Sequence, residues 1–100
     1  MPCAVHQRST ARYGRRWQRF RLAFLRGEHI DLQWHREIPA CLCVPCYLRG
    51  LIVAATDVDH VIPLPADVRT DRDPRMYKGP FQGMDARCHR EKTREDQRAR

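Results

Sequence analysis

Two ligand pairs at one short spacing, Cys43-Val44-Pro45-Cys46 and Asp85-Ala86-Arg87-Cys88, constrain this chain more than any other feature. Two thiolates three positions apart on a tight turn converge on one tetrahedral ion, which then needs a second pair from elsewhere in the chain. A chain of 100 residues is near the size at which a hydrophobic core alone is only marginally stabilising, so a staple of this kind suits it. The candidate structural zinc site is therefore Cys43, Cys46, Asp85 and Cys88. Asp is an allowed zinc ligand, though less common than Cys in structural sites. Cys41 competes for the fourth place, but along an extended chain a residue two before the knuckle points the other way. The bland alternative is a set of buried thiols with no metal. Cys3 reads as an unpaired thiol.

Five cysteines are an odd count, and no apolar run in Met1–Thr10 imitates a secretion signal. That combination indicates thiolate ligation in a reducing cytoplasm rather than a disulfide framework. No stretch is long enough to span a membrane.

The formal charge is +7. Its basic residues are nearly all arginine, whose planar fork grips phosphate at two points, which favours a nucleic-acid partner. A basic surface also serves solubility, so charge alone leaves both open.

Residues 1–10 read as a flexible arm and residues 11–100 as one domain, with Ser9-Thr10 able to cap a helix. From Ala11 to Leu25, Tyr13, Trp17, Phe20 and Phe24 recur at helical spacing and read as core packing. Arg15, Arg16 and Arg19 fall between them, on a face that is either solvated or laid along a phosphate backbone. Gly27 is a stop. Residues 28–40 read as a loop or short extra helix, with His29 and His35 as surface residues. Cys41 to Gly50 is a compact turn. Leu51 to Ile62 is rich in Val, Ile, Ala and Thr and reads as a strand or hairpin. The four prolines of residues 63–80 predict an extended, mobile loop. Phe81–Met84 returns as a short strand, and Cys88 to about Arg98 forms a polar helix.

Asp59-His60 lies in the apolar stretch, and His89 opens the last helix. Two ligands for a divalent cation plus a base for water form the kit needed to hydrolyse a phosphodiester. Taken singly, His60 and His89 read as packed or capped histidines. In the order Tyr13…Trp17…Arg21…Phe24-Leu25, Cys43-x-x-Cys46, Asp59-His60-Val61-Ile62-Pro63, Gln82…Cys88-His89-x-x-Lys92-Thr93, they resemble the HNH endonucleases, and the small bacteriophage and prophage type in particular. The resemblance runs from about Tyr13 to Asp96.

That resemblance implies an α+β fold, the ββα-metal domain, with an N-terminal helix and a zinc knuckle. It implies a metal-dependent DNA endonuclease in which His60 is the general base, and Asp59 and His89 hold a catalytic Mg²⁺, Mn²⁺ or Ni²⁺. Lys92, with Arg87 or Arg90, could position neighbouring phosphates. The implied partner is double-stranded DNA in a bacterial host cytoplasm. The resemblance also permits phage genome processing beside the packaging terminase, with a monomer as the favoured state. One departure stands out. The chain has no asparagine, whereas the family carries one just before the segment Phe81–Met84 that braces the inter-strand loop and orients the base. Gly79-Pro80 is found there. A non-catalytic zinc-ribbon DNA-binding protein is the competing reading; it leaves Asp59-His60 beside His89 unexplained.

Overall fold

The aromatic spacing at the start of the chain produces the first helix of a computed structural model that describes residues 13–99. Helix α1 spans Arg15–Leu25, and Trp17 and Phe24 are buried on its inner side. It starts at Arg15 rather than Ala11, with Gly14 at the N-cap and no side-chain cap of its own. The Ser9-Thr10 cap lies outside the described residues, and Gly14 holds the capping place. The missing acceptor arrives from a distant loop, where Asp71 Oδ2 accepts from the Trp17 backbone N–H at 3.1 Å. A carboxylate at this end also complements the helix dipole. A Cβ on Gly14 would lie 2.8 Å from that oxygen, so the glycine leaves it room.

Strands β1 (Asp57–His60) and β2 (Phe81–Met84) pair antiparallel. Their register sets Asp57 opposite Met84, Val58 opposite Gly83, Asp59 opposite Gln82 and His60 opposite Phe81. Because side chains alternate along a strand, one face carries Val58, His60 and Phe81 and the other Asp57, Asp59, Gln82 and Met84. A two-stranded sheet is marginal alone, and here both faces are covered. Trp17, Phe24, Val58, Leu64, Val68, Met76 and Phe81 form the main core on the first face. Met84 joins Cys43, Cys46 and Cys88 in a smaller cluster on the second.

The expected strand from Leu51 to Ile62 is shorter than its composition suggests. Its first half runs back along the knuckle instead, with Cys43 N–H donating to the Val53 carbonyl and Ala55 N–H to that of Cys41, both at 2.8 Å. The turn region contains a short helix, α2 (Val44–Leu48), with Pro45 in its first turn, where no amide hydrogen is missed. Residues 28–40 hold one 3₁₀ turn, Ile30–Leu32. Helix α3 spans Ala86–Arg98, capped by Asp85 Oδ1 accepting from the Cys88 N–H at 2.8 Å. The order β1–β2–α3 is the expected ββα unit, and the fold is α+β.

Residues 63–80 depart furthest from expectation. They are not an extended loop but fold inward, burying Leu64, Val68 and Met76 and forming a 3₁₀ turn over Pro74–Tyr77. The physical reason is the sheet's first face, which one helix cannot cover by itself; the loop supplies the rest of the lid.

Gly83 shows how tightly the knuckle sits on β2. A Cβ there would meet the Ala40 carbonyl oxygen at 2.6 Å and the Ala55 Cβ at 2.8 Å. Backbone has to shift to admit it, so Gly83→Ala should lower unfolding free energy by about 1–3 kcal/mol. Urea titration checks this, and an unchanged midpoint would mean the knuckle is less tightly seated.

Candidate active site and metal centre

Strand β1 delivers Asp57 and Asp59 to one side of the sheet edge and His60 to the other, and α3 brings His89 over the carboxylates. All four line a cleft of about 630 Å³, with Trp17, Gln18 and Arg21 of α1 forming its opposite wall. His89 is held at both nitrogens. Its Nδ1 lies 2.9 Å from Asp57 Oδ2, and its Nε2 faces Asp59 Oδ1 at 3.6 Å. A carboxylate can only accept, so Nδ1 is the nitrogen that donates to Asp57, and Nε2 is the nitrogen turned towards Asp59. Two donors about 2.1 Å from one ion sit roughly 3 Å apart at a right angle and about 4 Å apart when opposed. The 3.6 Å gap therefore fits a shared divalent cation.

Asp59 is 6% exposed, and a buried carboxylate needs partners. Its Oδ2 accepts from Gln82 Nε2 at 3.0 Å and lies 3.3 Å from Lys92 Nζ. Those contacts leave Oδ1 as the oxygen turned to His89. Lys92 also reaches Asp96 at 2.7 Å and the His60 carbonyl at 3.2 Å. Burial pulls the Lys92 pKa down, but the Asp96 hydrogen bond and the Asp59 charge outweigh it, and the net shift is upward. Its ammonium thus sits on the site's carboxylates.

His60 is fixed on three sides. Trp17 stacks on it at 5.0 Å, Phe81 meets it edge-on at 4.9 Å, and its Nε2 lies 2.8 Å from the Met76 carbonyl oxygen. Since a carbonyl only accepts, Nε2–H donates and Nδ1 is the basic nitrogen.

On the far side of α3, one ligand atom each from Cys43, Cys46, Asp85 and Cys88 lies within 4.8 Å of every other. Cys46 and Cys88 Sγ are 3.7 Å apart, close to the roughly 3.8 Å edge of a zinc–thiolate tetrahedron. The set can hold a metal such as zinc. Cys41 is exposed and outside it. Burial and then the Asp85 carboxylate push the Cys88 thiol up to about 12. The Cys43 hydrogen bond and burial raise that of Cys46. A coordinated cation reverses this preference and ionises the thiols. Arg49 Nη2, 3.5 Å from Cys46 Sγ and 4.0 Å from Cys88 Sγ, offsets the negative charge that would result.

Neither a family model nor a curated protein matches the chain. Among solved structures, it is similar to the HNH endonuclease of the deep-sea thermophilic bacteriophage GVE2, crystallised with a manganese ion. The two are 30% identical with a TM-score of 0.58, and the match covers 95% of this chain and 87% of that one. The chain belongs to the HNH endonuclease family. Its ββα unit and cysteine cluster are the fold that membership implies.

Within this HNH domain the expected basic contacts are spread unevenly. Arg15, Arg16 and Arg19 are exposed on α1 and do not line the cleft. Arg87 is exposed and 3.6 Å from Glu91. Arg90 lines a hollow of about 270 Å³ with His89, Thr93 and Arg94. Arg21 and Gln82 entered the sequence reading only as members of the motif order, and neither they nor Asp57 or Asp96 were given a site role, although period-two alternation puts Asp57 on the Asp59 face. Arg21 crosses the cleft wall, with Nη1 donating to the Thr56 carbonyl at 2.8 Å and Nε to Gln18 Oε1 at 2.9 Å. No helix among the described residues is long and apolar enough to cross a membrane.

Proposed function

We propose that the protein is a metal-dependent endonuclease that hydrolyses phosphodiester bonds of double-stranded DNA, with His60 as general base and Asp59 and His89 holding one catalytic Mg²⁺, Mn²⁺ or Ni²⁺. The observation that carries this is the cleft edge, where Asp59 Oδ1 and His89 Nε2 stand 3.6 Å apart and a ring-locked His60 shares the same cavity. When bound, the cation stabilises negative charge on the phosphate and the departing oxygen. The remaining work falls to the chain's own side chains. His60 Nδ1 takes a proton from the attacking water. Lys92 and Gln82 hold Asp59 by one oxygen, and Asp57 holds His89 in one tautomer. Arg90 and Arg94 stand beside His89 where the backbone phosphates would run.

The cleft's own charge supports a cation. Asp57, Asp59 and Asp96 line it with Arg21, and Lys92 pairs with Asp59 and Asp96; the carboxylates still outnumber these cations, so a further cation would ease the approach of a phosphodiester. The manganese bound by the phage relative also supports this, and its source supports phage or prophage DNA in a bacterial cytoplasm as the setting.

The test is nicking of supercoiled plasmid by dialysed protein with and without added Mg²⁺, Mn²⁺ or Ni²⁺, beside Asp59→Ala. Nicking that needs the added ion and is lost in Asp59→Ala is expected. Failure to nick with every ion while DNA is still bound would overturn the enzyme reading.

Asp57 gives a finer check. A carboxylate that fixes a ligand histidine's tautomer typically contributes 10–100-fold to metal affinity. Asp57→Ala should therefore weaken Mn²⁺ binding by about that factor, read by calorimetry, while the zinc content stays the same. Unchanged Mn²⁺ affinity would remove Asp57 from the site.

A further inference from the structure

The base-orienting carbonyl belongs to Met76, in the middle of the loop between the strands, so something must hold that loop still. The Met76 side chain is fully buried, but methionine is a flexible anchor, and carbonyl direction is set by the backbone around it. The preceding residue shows what sets it. Arg75 spans two carboxylates from opposite limbs of the loop. Its Nη1 donates to Asp67 Oδ1 and Oδ2 at 3.1 and 3.2 Å, and its Nη2 donates to Asp73 Oδ2 at 2.8 Å. Arg75 Nε and the Arg75 backbone N–H both donate to Asp73 Oδ1, at 3.1 and 2.9 Å.

Exposed single ion pairs contribute little to stability, and Asp67 is 71% exposed. Geometry matters more here than energy. One planar fork takes both oxygens of Asp67 and both of Asp73, which fixes direction as well as distance. Arg75 holds the Asp73 carboxyl below its usual range through side-chain and then backbone hydrogen bonds. Asp67 leads directly into Val68, which is 1% exposed, so the clamp ties the turn at Pro74–Tyr77 to a limb already anchored in the core.

We propose that Arg75, clamped between Asp67 and Asp73, is a positioning residue that aims the Met76 carbonyl at His60 Nε2–H and so keeps Nδ1 as the basic nitrogen. The proposal rests on the reading of His60 as general base.

The test pairs kinetics with a signal that does not depend on activity. Arg75→Ala should lower kcat by roughly 10²-fold, the loss typical of a small misplacement of a catalytic group, with KM for plasmid and zinc content unchanged. Arg75→Lys should not restore it, because an ammonium cannot span both carboxylates. In the His60→Ala background Arg75→Ala should cost nothing more, since the two act as one unit. Nitrogen-15 spectra of the imidazoles should show His60 in the Nε2–H form in the parent and a loss of that preference in Arg75→Ala. If Arg75→Ala does not fold, Asp67→Ala removes one exposed arm of the clamp and should show the same changes in smaller degree.

A rise in KM with kcat unchanged would make Arg75 a DNA contact and overturn the proposal. So would an unaltered His60 spectrum, whether or not the protein nicks. If the parent nicks and His60→Ala does not, but Arg75→Ala matches the parent, the clamp fails and the base reading stands. If His60→Ala nicks like the parent, the base reading fails, and with it the clamp's catalytic role.

Discussion

Replacing His60 by phenylalanine should cut plasmid nicking by about 10²–10⁴-fold, the usual contribution of a positioned general base, and leave DNA binding within a few-fold of the parent. Phenylalanine is the sharper choice because the ring has two jobs. It is packed between Trp17 at 5.0 Å and Phe81 at 4.9 Å, and alanine would open a hole in the main core as well as remove the nitrogens. His60→Phe keeps an aromatic ring there and removes only the proton acceptor and the donor to Met76. The melting temperature should therefore stay near the parent's in His60→Phe and fall in His60→Ala, while both lose nicking. Gel shift, thermal melt and nicking on the same preparations check this. A His60→Phe protein that nicks at the parent rate would show that His60 is not the base and would sink the mechanism.

How much of this was legible beforehand depends on the range of the interaction concerned. Asp59, His60 and His89 could be picked out only through the motif order that resembles a known family, after which strand alternation set Asp59 and His60 on opposite sides; Cys43-x-x-Cys46 was legible from its spacing alone. Asp57 was equally legible by period two, but an aspartate at the mouth of a strand carries no signal until a histidine is known to face it. Leu64, Val68 and Met76 follow no period among prolines and aspartates, so a loop that closes the core read as solvent-exposed chain. Asp71 capping α1 from across the fold, and Arg75 bridging Asp67 to Asp73, are contacts between loop residues whose spacing means nothing in one dimension. Lys92 shows the opposite limit. Its type fitted a phosphate contact, yet burial beside Asp59 and Asp96 gives its charge a prior engagement within the site.

Purified protein should carry about one zinc per chain, and Cys46→Ser should lose both the zinc and the fold. Apparent zinc binding of a structural site is worth about 10–16 kcal/mol at neutral pH, against a total stability of roughly 5–15 kcal/mol for a small domain. The second core has little else to hold it: apart from Met84 and the partly buried Val53, it consists of Cys43, Cys46 and Cys88. Without a cation, the raised Cys46 and Cys88 pKa values keep those two thiols protonated, and the cluster is left with a few weak thiol contacts. Cys41→Ser is the control, since that thiol is exposed and outside the cluster, and it should change neither zinc content nor melting temperature. Loss of zinc should also abolish nicking in excess Mn²⁺, because Cys88 and His89 are neighbours in the first turn of α3. A helix released at Cys88 takes the His89 ligand with it. Elemental analysis, thermal melts and nicking of the two serine variants decide the matter. A zinc-free Cys46→Ser protein that melts and cuts like the parent would show that the ββα unit stands without its staple.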